Sequence, residues 1–205
     1  RQMCIRDSHS VDNTFALRVL FKKLAESVKQ PMSFTRVANI VSSTGVKVGK
    51  TTIINYIEYA KDAWLISSIQ NIAGKLVDKE TNPKYYFTDN GILNLFLLDG
   101  ETPLLENLVA INLLRKYGRN DAVFFYNRGI EVDFYIPDES IAIQVCYNLD
   151  NSNGTFDREI SALLKLSNVL ECKKLMVITR DSEQVLEIDH KVIEIIPIWK
   201  LLLNL

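Results

Sequence analysis

The chain is poor in the residues that staple or ligate. It has 3 cysteines, and Cys4, Cys146 and Cys172 are widely spaced, which excludes both a disulfide framework and a zinc ribbon and points to a reducing cytoplasm. His9 and His190 form no pair at metal-ligand spacing. An excess of one charge is also missing: 24 Lys and Arg stand against 25 Asp and Glu, for a net charge of -1, so any nucleic-acid affinity must come from a local basic patch. No apolar run approaches the roughly 20 residues of a membrane-spanning helix, and no membrane partner is expected. What the chain does have is 47% hydrophobic residues over 205 positions, enough to bury the core of one large or two small domains.

The first eight residues, RQMCIRDS, carry no apolar periodicity and no clean cap. They resemble translated sequencing-adapter read-through and are set apart from the fold, which makes the remainder a fragment of a longer protein. The region 9–100 then reads as a winged helix-turn-helix domain. VDNTFALRVLFKKLAESV, SFTRVANIVSST and GKTTIINYIEYAKDA have helical periodicity, with a turn at Ser43-Thr44-Gly45-Val46, and WLISSIQ and KYYFTD read as the strands of a wing. In the third helix Ile53, Ile57, Ala60 and Trp64 are predicted to face inward. Lys47, Lys50, Thr51 and Asn55 are left outward with Glu58. Lysine and threonine suit phosphates and asparagine suits adenine edges, so this surface is a candidate DNA reader; protein contact is the competing use, favoured by Glu58 and Tyr59. Lys84 on the wing is a further candidate phosphate contact, or simply a solvated lysine. GVKVGKTT mimics a phosphate-binding loop, but Gly45 and Gly49 enclose three residues where that motif needs four, and no strand precedes them. No ATP site is expected in this chain.

The most informative stretch is GIEVDFYIPDESIAIQVCYNL, two β-rich runs joined by a Pro-Asp-Glu-Ser turn. Alternation puts Glu131 with Asp133 on one strand and Gln144 with Cys146 on the next. Such oxygen ligands suit Mg²⁺, which polarises a phosphodiester and supplies a hydroxide. The same alternation also fits an ordinary half-exposed sheet. Upstream, Thr102-Pro103 opens a periodic helix stopped by Gly118, with Glu106 in its first turn as a further acid or as a partner of the helix dipole. Downstream, TFDREISALLKLSNVLE reads as a helix, KKLMVITR and KVIEIIPI as strands, and WKLLLNL as a closing helix. Region 101–205 is therefore a mixed α/β sheet covered on both sides.

These runs resemble the PD-(D/E)XK nuclease fold. The resemblance implies catalytic and metal-holding roles for Glu106, Asp133 and Gln144, with Cys146 where the fold's lysine belongs. Cysteine cannot neutralise developing charge on phosphorus, and Arg128 is the nearest substitute cation in sequence. The order PKYYFTDNGILN, LLENLVAINLLRKYG, FFYNRGIEVDFYI, IQVCYNL, IEIIPIWKLLLNL is also similar to the C-terminal region, domain of unknown function 4143, of bacterial and archaeal AAA-type ATPases. That implies a winged helix followed by a nuclease-like domain, with ATP bound only by a module preceding both. The expected function is DNA or partner recognition for that ATPase, with nuclease activity lost alongside the lysine. The alternatives are a Mg²⁺-dependent DNA endonuclease and a protein-protein assembly module.

Overall fold

The computed structural model describes residues 11, 13–75, 79, 81–97, 100–118, 122–149 and 154–203. Cys4, His9 and the adapter-like segment 1–8 lie outside them. The chain begins with three helices, α1 (Thr14–Glu26), α2 (Phe34–Ser43) and α3 (Lys50–Asp62). Asn13 caps α1 by accepting from the Ala16 amide at 2.9 Å, and Ser33 caps α2 by accepting from Arg36 at 3.2 Å. The turn between α2 and α3 uses Gly45 at φ 89°, a left-handed conformation that glycine adopts without strain. Gly49 is the N-cap of α3, so the sequence that mimics a phosphate loop is a helix entry with no strand before it.

Inside α3, Ile53, Ile57 and Ala60 are buried as expected. Trp64 is not: the helix stops at Asp62, Trp64 takes φ 55° and its side chain is 59% exposed. The helical spacing that ran through it ended two residues earlier.

Strands β1 (Ile66–Asn71) and β2 (Lys84–Phe87) follow as an antiparallel pair in the register Ile66 to Phe87. The pair does not stand free as a wing. β1 also runs parallel to β3 (Phe124–Asn127), so one sheet crosses the boundary placed near residue 100. Its order is β2-β1-β3-β4-β5-β6-β8-β7, with β4 (Glu131–Ile136), β5 (Ile141–Val145), β6 (Lys174–Thr179), β7 (Gln184–Ile188) and β8 (Lys191–Pro197). Four of the seven neighbouring pairings are antiparallel. The remaining helices are α4 (Asn90–Asn94), capped by Asp89, then α5 (Glu101–Tyr117), α6 (Thr155–Leu166) and α7 (Ile198–Leu203).

The central strands β4, β5 and β6 are buried on both faces. The larger apolar cluster joins Leu17, Leu20 and Phe21 of α1 and Val109 and Leu113 of α5 to Phe125, Phe134 and Ile143 of the sheet. The smaller lies under α6, where Ile160, Leu163 and Leu166 meet Val177 and Ile195. The Pro-Asp-Glu-Ser turn is a single 3₁₀ turn, Pro137–Glu139, closed by Ser140 at φ 54°.

Candidate functional site

Two irregularities in the sheet build the site. Tyr126 pairs with Val132 while Phe124 pairs with Tyr135, so two steps on β3 face three on β4. The extra residue is a β-bulge at Asp133-Phe134, which re-aims side chains as bulges beside functional sites commonly do. The second irregularity is a parting of β4 from β5. Their ladder ends at Phe134 opposite Ile143, while β5 stays paired with β6, the Cys146 amide donating to the Ile178 carbonyl at 2.9 Å.

Backbone groups at the parting are satisfied by side chains. The Asp133 amide donates to Gln144 Oε1 at 2.9 Å, Gln144 Nε2 donates to the Glu131 carbonyl at 3.0 Å, and the Val145 amide donates to Asp133 Oδ2 at 3.0 Å. Gln144 and Asp133 thus replace the missing rungs.

Into this frame β2 sends Lys84. Its side chain has no exposed surface, and its ammonium lies 3.0 Å from Glu131 Oε1, 3.2 Å from Asp133 Oδ1 and 3.5 Å from Glu106 Oε1. The Phe125 ring lies 5.5 Å from the same nitrogen. This corrects the expectation that Lys84 touches phosphate or solvent from a wing. The strand that carries it is an edge of the sheet whose four residues are all buried. Burial alone disfavours the ammonium, yet Glu106, Asp133 and Glu131 together override it and hold the lysine above its ordinary pKa. The cation beside the carboxylates is therefore Lys84. Arg128 is exposed in the β3–β4 turn, where its amide bonds to the Ile130 carbonyl at 3.1 Å.

Glu106 is brought to the centre as expected, by a different route. α5 starts at Glu101, which puts Glu106 beyond the first turn, and its side chain is fully buried. Its Oε1 accepts from the Tyr86 hydroxyl at 2.9 Å, while Oε2 has no hydrogen-bond partner among the described residues. Burial first, then the nearby Asp133 charge, push its carboxyl up to about 7, against the opposing pull of Lys84 and Tyr86. Next to it, Asn107 is also buried and clamps the outer side of β2, accepting from the Phe87 amide at 2.8 Å and donating to the Phe87 carbonyl at 2.9 Å. Neither Tyr86 nor Asn107 stood out in the sequence, because each sits in an apolar run and takes its partner from an element 20 residues away.

Cys146 follows Gln144 by two residues but packs into the cluster beneath α6. Its thiol donates to the Asn148 carbonyl at 3.0 Å, and burial, then Glu159, raise its pKa. It is a protonated packing group. On the other side of Asp133 an open cleft of about 780 Å³ is lined by Lys29, Glu131, Gln144, Arg158, Glu159 and Lys165, among others. Glu159 of α6 is buried and held by Arg158 at 2.6 Å.

The Mg²⁺ site that the nuclease resemblance implies does not fit this arrangement. Gln144 Oε1 is committed to β4, both Asp133 oxygens are engaged, and the Lys84 ammonium already sits against the carboxylates. No group of three His, Cys, Asp or Glu among the described residues is placed to hold a metal ion. The expected DNA-reading residues Lys47, Lys50, Thr51 and Asn55 are exposed at and around the start of α3. No helix among the described residues is long and apolar enough to cross a membrane.

Residues 4–103 match a family model described as Domain of unknown function (DUF8612). Over 207 residues the chain is 32% identical to an uncharacterized protein of Methanocaldococcus jannaschii, an alignment covering 95% of this chain and 46% of that protein. It is 28% identical over 184 residues to an uncharacterized protein of Haemophilus influenzae, covering 87% of this chain and 44% of the relative. The chain spans about half the length of the curated relatives it matches. No solved structure matches it.

Proposed function

We propose that the chain is a recognition region serving an AAA-type ATPase, in which a helix-turn-helix with its strand pair joined into the sheet of a PD-(D/E)XK-like domain binds DNA without cleaving it. The observation that carries the loss of cleavage is the Lys84 ammonium, seated among Glu106, Glu131 and Asp133 where a metal would otherwise balance their charge. A lysine held this way is a structural counter-ion: it cannot approach a scissile phosphate without leaving three buried or half-buried carboxylates unpaired. DNA as the ligand is supported by Lys47, Lys50, Thr51 and Asn55, which combine phosphate-binding and base-reading chemistry on one exposed stretch. The size of the relatives supports a further module in the whole protein, and the ATPase assignment follows the motif order quoted above.

A second reading is favoured by one observation. Lys84 lies against Asp133, and the adjoining cleft carries Lys29, Arg158 and Lys165 among the acids Glu131, Asp157 and Glu159, so a nuclease with its lysine moved to β2 has its cation in place and needs the Asp133 and Gln144 bonds to open before a metal can enter. A time course on end-labelled duplex and single-stranded DNA with Mg²⁺ or Mn²⁺ separates the two. The recognition reading expects binding without cleavage, and weaker binding in Lys47→Ala and Asn55→Ala. Cleavage that disappears in Asp133→Ala overturns it in favour of the nuclease.

A further inference from the structure

A second cavity, of about 330 Å³, lies between α3, the paired strands β1 and β2, and the start of α2. Its α3 wall is Lys50, Ile54, Glu58 and Lys61, a face beside the exposed Thr51 and Asn55. The β1 wall contributes Ser68, and Lys79 closes the side preceding β2. Three lysines therefore converge on one pocket, against one carboxylate, Glu58, which is bound to Lys61 at 3.0 Å.

Tyr85 forms the floor. Its residue is 1% exposed, and its hydroxyl has no hydrogen-bond partner among the described residues. A buried hydroxyl without a partner is costly, and folded proteins rarely leave one without a reason. Burial, then the Glu58 charge, raise its pKa, so it stays a proton donor throughout the physiological range. A buried, unpartnered donor on a residue that lines a pocket rimmed by ammonium groups calls for an anionic acceptor.

We propose that this pocket binds a terminal phosphate, on a free nucleotide or at the end of a nucleic-acid strand, with the Tyr85 hydroxyl and the Lys50 and Lys79 ammonium groups as its donors. The site adjoins the surface of Thr51 and Asn55 through Lys50, which belongs to both, and it does not depend on the nuclease-like centre. Phe34 on the rim supplies an aromatic face for an attached base.

The test is calorimetric titration of the full chain with inorganic phosphate, with AMP, and with one oligonucleotide carrying either a 5′-phosphate or a 5′-hydroxyl. Phosphate and AMP are expected to bind. A preference for the 5′-phosphorylated strand identifies a strand end as the source, and equal strand affinities identify the free nucleotide. Tyr85→Phe is expected to weaken AMP about tenfold, as loss of a hydrogen bond to a charged group does, while raising the melting temperature of the free protein by removing the unpaired hydroxyl. Lys79→Gln is expected to weaken AMP by a similar factor, and Asn55→Ala to leave it unchanged. Absence of phosphate and AMP binding overturns the proposal, as does a Tyr85→Phe variant that binds AMP as tightly as the original chain. Loss of duplex binding in Asn55→Ala alone bears on the recognition surface and leaves the pocket standing.

Discussion

Lys84 and Lys61 both pair with glutamate at 3.0 Å, and they show how little a distance says by itself. The Lys61–Glu58 pair sits on the surface of α3, with side chains 32% and 52% exposed, one turn apart on a helix that forms with or without it. Lys84 has no exposed surface, and the sheet around it was shaped to receive it: a bulge turns Asp133, a helix delivers Glu106, and a parted strand exposes Glu131. Water competes for both partners of the first pair, and for the second only at Glu131, whose side chain is 45% exposed. The buried lysine therefore matters to stability, whereas the exposed pair contributes little.

The strongest way to break that contrast is Lys84→Met, which keeps the length of the side chain and deletes its charge. Removing one partner of a buried ion cluster costs about 3–5 kcal/mol, so urea unfolding should show a large loss, recovered in part by adding Glu106→Gln. A near-neutral Lys84→Met would mean that water reaches the cluster. Next comes Asn107→Ala, which strands the Phe87 amide and carbonyl on an edge that α5 covers. A loss of roughly 2–4 kcal/mol is expected, at one to two per orphaned group.

Glu106 tests the same region through pH. Its carboxyl binds its proton more tightly in the folded chain than in the unfolded one, so the unfolded state releases protons first as pH rises. Stability should therefore fall between the ordinary value of 4.5 and about 7, then level off. The change is at most roughly 3 kcal/mol, at 1.36 kcal/mol per pH unit, and Glu106→Gln should flatten it in a pH series of denaturation curves. The smallest effect belongs to the surface pair: Lys61→Ala should alter stability by less than about 0.5 kcal/mol, and a drop comparable to that of Lys84→Met would erase the distinction.

The parts of the fold with one apolar face were legible in the sequence. α1, α2, α3, the β4–β5 hairpin, α6 and β6 all appear where periodicity placed them, because each buries a stripe that the pattern reveals. β7 was missed because it is an outer strand with Gln184, Val185 and Glu187 exposed and no stripe to show. β3 was missed because it has only four residues, too few to establish alternation. Trp64 was misplaced because spacing does not announce where a helix ends. At the site, Glu106, Asp133 and Gln144 were singled out by the nuclease resemblance, and the structure places them near one another. Gln144 meets Asp133 through its backbone amide, however, and a ligand pattern cannot distinguish that from coordination. Lys84 was illegible as a cluster member. Its partners lie 22, 47 and 49 residues ahead, and it reaches them through a bulge that periodicity does not predict.

The parting of β4 from β5 also has a kinetic side. The amides of Asp133 and Val145 are held by a carboxamide and a carboxylate, so each is freed by rotation about side-chain bonds while the strands stay in place. Amides in the neighbouring ladder at Phe134 and Ile143 are freed only when backbone separates from backbone. Hydrogen exchange should therefore divide one hairpin into two populations: a fast pair at the parting that follows local fluctuation, and a slow set toward Ile136 and Ile141 that reports opening of the sheet.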